Sequence, residues 1–237
     1  AGMGLDSQPT MDSHIDSGVS IMLADVTADD LVSATTAGFT IYRGSMPVPA
    51  PCVDAQDTVC RKHLDGSGSF TIDTATPADP PLVGAIADSV ENAGPGHLSI
   101  QFALATSTRI SVRLLGARVS MTSTDATSTG NLAGAISTAE IDNKVIPAMR
   151  DGFTPVVQHD CTDLQSPPDC GCAVDSQGKT LLGIFDTDPK DCSISTDEVR
   201  NNPLIVSLFA PDVTVENTEA LSLGFRVHAV PATFSDL

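Results

Sequence analysis

Three stretches of strict apolar/polar alternation constrain this chain more than any other feature. Leu98, Ile100, Phe102 and Leu104 alternate with Ser99, Gln101, Ala103 and Ala105, and Ile110, Val112 and Leu114 alternate with Ser111 and Arg113. Leu221, Leu223, Phe225 and Val227 alternate with Ser222, Gly224, Arg226 and His228. A period of two places one set on a core face and the other in solvent, as half-buried strands require. The first two runs predict a hairpin through Thr106 to Arg109, with Asn92-Ala-Gly-Pro-Gly96 as the turn before them. Shorter strand signals lie at Val19 to Val26, Phe39 to Tyr42 and Phe70 to Asp73, separated by the proline-rich stretches 47–51 and 77–81. Asp29-Asp30-Leu31 suggests a short helical turn, and the Ser/Thr-rich stretch 120–130 a loop.

Helix signals are fewer. Ser137 and Ser195 each precede an apolar-patterned run in two segments that match at an offset of 58 residues, with Glu140 and Glu198 in corresponding places. Ser-x-x-Glu is the spacing of a capping box. Helices are therefore expected near 138–150, broken or kinked at Pro147, and near 196–210, ended by Pro211.

The second of these starts follows an acidic loop in which Asp186, Asp188, Asp191, Ser193, Ser195 and Glu198 place six oxygen-bearing side chains within thirteen residues. This resembles an EF-hand loop, in which Ca²⁺ is held by ligands at positions 1, 3 and 5 and a bidentate Glu at 12, with Gly at 6. With Glu198 as position 12, Ile194 and Asp191 fall correctly at 8 and 5, but Thr187 and Pro189 occupy 1 and 3. Cys192 takes the glycine place, and Asp186 and Asp188 enter only if the loop carries an extra residue. The metal candidates are Asp186, Asp188, Asp191, Ser193 and Glu198. Capping alone also accounts for Glu198, because acidic residues are favoured ahead of a helix by its dipole.

Of the chain's 237 residues, 12 are Lys or Arg and 30 are Asp or Glu, a formal charge of −18. Such acidity argues against nucleic acid, whose binding needs Lys and Arg to displace counterions. No run approaches the ~18 apolar residues of a membrane span. Six cysteines with sparse lysine fit an exported protein whose signal peptide has been removed. Cys52 and Cys60 bracket a short polar loop and are expected to pair. Cys170 and Cys172 are too close to bridge each other, so they pair with Cys161 and Cys192 in one order or the other. A zinc site built from those four lacks the paired CxxC rhythm. No nucleophile elbow, phosphate loop, dinucleotide fingerprint or zincin helix is present, and the five histidines are scattered singly.

Several segments resemble a recurrent, functionally uncharacterised set of exported or lipid-anchored proteins of myxobacteria and their relatives. The matching residues are Cys60-x-x-His63-Leu64-Asp65 before Phe70-Thr-Ile, Gly94-Pro95-Gly96, Asp169-Cys170-Gly171-Cys172, Phe185-Asp186-x-Asp188 leading to Cys192 and Glu198-Val199, and Ala220 through Phe234. The resemblance implies an extracytoplasmic address and no reaction. The expectation is an antiparallel β-sandwich over residues 18–237 with two short helices and disulfide-stapled loops, behind a loose arm at 1–17. Such a chain is expected to be a non-enzymatic surface or secreted protein that binds a protein partner or self-assembles, with Ca²⁺ as a candidate cofactor. The rival expectations are a metal-free subunit of a larger complex or filament and, third, an exported hydrolase.

Overall fold

The computed structural model describes residues 13–52, 60–103, 109–187 and 189–235. Its strands are β1 (Met22–Ala28), β2 (Ala34–Val48), β3 (Ser69–Ile72), β4 (Leu82–Ala87), β5 (Val90–Ala103), β6 (Arg109–Ser123), β7 (Ser128–Ser137), β8 (Val213–Val215), β9 (Thr218–Ala229) and β10 (Thr233–Ser235). Helix α1 (Thr138–Glu140) runs through a π turn (Ile141–Val145) into α2 (Ile146–Asp160). Then come α3 (Gln177–Phe185), α4 (Thr196–Asn201) and α5 (Pro203–Leu208). The fold is mainly β, as the alternation predicts, with helices and disulfide-stapled loops. One sheet of ten strands runs in the order β10-β3-β2-β4-β5-β6-β7-β9-β8, with β1 also paired to β2. All the described pairings are antiparallel except that of β10 with β3.

The two alternating runs form the expected β5–β6 hairpin, paired from Leu98 with Leu114 to Ala103 with Arg109; its connection, 104–108, lies outside the described residues. The turn expected at Asn92–Gly96 is instead a bulge inside β5. Between Ala93 and Gly96 the strand carries one more residue than β6, and β6 carries one more between Leu114 and Ala117. Each extra residue inverts the parity of its strand, so Ile110, Val112 and Leu114 and then Ala117, Val119 and Met121 all face the core. Gly94 has φ +101°, and a Cβ there would lie 2.2 Å from the Ala117 carbonyl oxygen. Glycine and proline therefore mark a close approach here. The real turn into β5 is Asp88-Ser89, both at positive φ, as two-residue hairpin turns require.

The loop expected at 120–130 is also replaced by sheet. β6 and β7 run through it to pair Ser123 with Ser128, and the Thr124 hydroxyl closes the turn onto the Thr127 carbonyl at 2.9 Å. Asp29–Leu31 is not helical; the Asp30 carboxylate accepts the Val32 N–H at 2.8 Å in a side-chain turn. Of the expected arm, residues 1–12 lie outside those described, while 13–16 form a helical turn and Asp16 is ion-paired to Arg61 at 3.0 Å.

Pro147 does not break the first helix. It directly follows the π turn, in which the Ile146 N–H reaches back to the Ile141 carbonyl; this local widening admits the proline within one continuous helical run, which goes on to Asp160. Helix α3 adds to the two expected helices; Ser176 caps it by accepting the Lys179 N–H at 3.2 Å. The helices share one core with the sheet: Val145, Ile146, Met149, Leu182, Phe185, Val199 and Ile205 cluster with Phe39, Leu82, Leu98, Val112, Leu114 and Val119. A small second cluster, Ile21, Leu23 and Phe70, includes residues of β1 and β3.

Candidate functional site

In the acidic loop, oxygen atoms turn inward onto backbone N–H groups. Asp186 is buried, and its two carboxylate oxygens accept the N–H groups of Asp191 at 3.0 Å and Cys192 at 3.1 Å. Asp191 accepts both the N–H and the hydroxyl of Ser193, at 2.9 and 2.7 Å. Glu198 accepts the Thr187 N–H at 2.7 Å through one oxygen and the Ser195 N–H at 2.8 Å through the other, while the Ser195 hydroxyl accepts the Glu198 N–H at 3.1 Å. The capping box is thus complete, and Glu198 also fastens the start of the loop. Burial raises the Glu198 pKa, but hydrogen bonds from Ser195 and Thr187 outweigh it, so the carboxyl titrates below its ordinary range. Asp188 lies outside the described residues, among which no three His, Cys, Asp or Glu side chains converge as a metal would need.

Cys192 has φ +64°, the left-handed conformation that glycine supplies at this place in an EF-hand loop. Its N–H bond to Asp186 and its bridge to Cys170 hold it there. The other bridges are Cys161–Cys172 and Cys52–Cys60, so the order of pairing left open by the spacing is settled and no thiolate remains for zinc. Replacing Glu198 by alanine is expected to cost about 1 kcal/mol, the value of a lost cap, equally in excess Ca²⁺ and in chelator. Thermal unfolding under both conditions checks this, and a penalty present only with Ca²⁺ would restore the metal reading.

One depression, of about 590 Å³, lies between the end of α2 and the start of α3 and is lined by Pro155, Val156, His159, Asp160, Ser176 and Gln177. A histidine, an acid and a hydroxyl meet there, as a hydrolase would need. They are differently engaged: Asp160 accepts the Gly178 N–H at 2.8 Å, and the Ser176 oxygen accepts the Lys179 N–H as a helix cap. His159 bonds Asp160 at 2.8 Å with its side chain 88% exposed, so the pair is not shielded from water. Hydrogen bonds from Gly178 and then His159 hold the Asp160 pKa below the usual range.

A second histidine cluster joins residues far apart in the chain, so no local spacing signals it. His97 bonds the Glu216 carboxylate at 2.9 Å through Nε2 and accepts from Arg113 at 3.0 Å through Nδ1. Arg113 also meets Asp79 at 3.3 Å. Both ring nitrogens are occupied, so His97 ties the β8–β9 turn to β5 and β6. Glu91, by contrast, is 3% exposed on the core side of β5, beside Ile86 and Met121, and neither carboxylate oxygen has a partner among the described residues. Burial pushes its pKa up to about 7.

The remaining feature is an open sheet edge. β9 pairs with β7 along its length, from Ala220 to Ala229, but β8 covers only Thr218 to Ala220 on the other side. The Ala220 carbonyl accepts the Asp212 N–H at 3.1 Å, and the Ser222 N–H donates to the Asp212 carboxylate at 2.7 Å, so even-numbered residues of β9 point their backbone groups away from β7. Past Ser222, the backbone groups of Gly224, Arg226 and His228 meet no strand among the described residues. No family model, curated protein or solved structure matches this chain.

Proposed function

We propose that this chain is an extracytoplasmic, non-enzymatic structural subunit whose sheet is continued by a partner strand along β9. The free backbone edge at Gly224, Arg226 and His228 carries the reading, because unpaired strand edges template further pairing. On the core side Leu223, Phe225 and Val227 are only half-buried and offer apolar surface to the added strand. The pairing of all six cysteines supports an oxidising compartment, as does the resemblance to exported or lipid-anchored proteins. For the 186–198 loop, the hydrogen bonding favours a self-capped turn over a Ca²⁺ site.

Amide exchange resolved to single residues tests the edge. In dilute protein the Gly224, Arg226 and His228 amides are expected to exchange fast while Phe225 and Val227, bonded to β7, are protected. In the associated state all five are expected to be slow. Association that leaves Gly224, Arg226 and His228 unprotected would remove β9 from the reading.

A further inference from the structure

The partner strand can be named from parity and charge; this inference rests on the reading of β9 as an assembly edge. At the opposite end of the main sheet β1 pairs only with β2 among the described residues. The Ile21 carbonyl accepts the Gly44 N–H of β2 at 2.9 Å, so odd-numbered residues of β1 bond to β2 and Met22, Ala24, Val26 and Ala28 present theirs to the free side. Ala24 and Val26 pack on the main core, which places Asp25 on the outer face. Arg226 lies on the outer face of β9. Asp25 and Arg226 have no ionic partner among the described residues, as is also true of Arg109 and Arg118, but of these arginines only Arg226 lies on a free strand edge.

Antiparallel pairing of β9 with itself fails. The slot at Ser222 is filled by Asp212, so the free residues Gly224, Arg226 and His228 centre the pair on Arg226, opposing like charges. Antiparallel pairing with β1 sets Arg226 opposite Ala24 or Val26, outer face against core face. Parallel pairing satisfies every constraint. There a residue bonds to the two neighbours of its opposite number, so Arg226 donates to the Ala24 carbonyl and accepts from the Val26 N–H of the next copy, with Asp25 beside its guanidinium. Phe225 and Val227 then flank Ala24 and Val26 on the core side. Gly224, whose Cβ position is open, flanks Leu23. We infer that copies of this chain join head to tail through parallel β9–β1 pairing into a continuous-sheet filament with Asp25 and Arg226 as its register pair.

The test uses Arg226→Pro, which removes an N–H that β7 does not use, and Asp25→Arg, which sets two cations side by side. Retained circular dichroism and melting temperature confirm that each variant folds. By sedimentation at about 150 mM salt, wild type is expected to grow open-endedly with concentration; at low salt, the −18 charge of each copy weakens growth. Each variant alone is expected to stay monomeric, and an equimolar mixture to form a dimer and nothing larger, because it contains one intact β9 and one intact β1. Asp25→Arg combined with Arg226→Asp is expected to restore growth. If Asp25→Arg assembles like wild type while Arg226→Pro does not, β9 is an assembly edge but β1 is not its partner. A mixture that stays monomeric while wild type grows overturns head-to-tail pairing, and a wild type that stays monomeric at all concentrations overturns the filament.

Discussion

Glu91→Gln is expected to stabilise the protein above neutral pH and to leave it unchanged near pH 4. The Glu91 pKa is raised from 4.5 to about 7 because its carboxyl is buried, with no partner among the described residues. The folded state therefore holds its proton more tightly than the unfolded state does. The stabilising contribution of the neutral acid is complete below pH 4.5 and is lost as pH rises to about 7. At about 1.4 kcal/mol per pH unit, this amounts to about 3 kcal/mol. Glutamine keeps the shape and cannot ionise, so the difference between variant and wild type isolates this one group. Urea unfolding from pH 4 to 9 is expected to show that difference rising from near zero to a plateau of about 3 kcal/mol in favour of the variant. A difference that stays flat with pH would mean that Glu91 is solvated or paired.

Removing the Cys170–Cys192 bridge is expected to be the most destabilising cysteine change. Its sequence separation of 22 residues implies a loop-closure contribution of about 3 kcal/mol. Both cysteines are 2% exposed and belong to the main core, so replacing both by alanine also leaves unfilled volume. Cys192 further holds a left-handed turn on which the Asp186 hydrogen bonds depend. Cys52–Cys60 closes a separation of only 8 residues, with both cysteines half-buried, and its double alanine variant is expected to lose less. Denaturation midpoints of the two variants measure the contrast, and equal losses would show that the buried bridge adds nothing beyond chain entropy.

The parts of this fold that were legible in sequence are those set by local rules. Period-two alternation gave β5, β6 and β9, because a half-buried strand must sort its side chains by face. Ser195-x-x-Glu198 gave a capping box that forms in full, since its bonds lie within one helical turn. The matching Ser137-x-x-Glu140 forms only half of one. Its serine caps, but Glu140 turns away to the Arg113 N–H and the Lys144 ammonium. That departure is tertiary, because β6 lies beside α1 and competes for the carboxylate. The Gly94-Pro95 signal fits a turn and a bulge alike, since both want glycine, and only the Ala117 carbonyl across the ladder tells them apart.

The sequence by itself determined an acidic, disulfide-stapled, mainly β chain with capped helices, because composition, cysteine spacing and side-chain periodicity act over a few residues. Only the tertiary structure decided which cysteine meets which, that His97 reaches Glu216 and, among the described residues, that Glu91 is buried unpaired and that β9 and β1 are left as open edges. Each of these depends on which strands become neighbours. Strand order is chosen by the packing of one shared core across long sequence separations, and no local pattern in this chain encodes it.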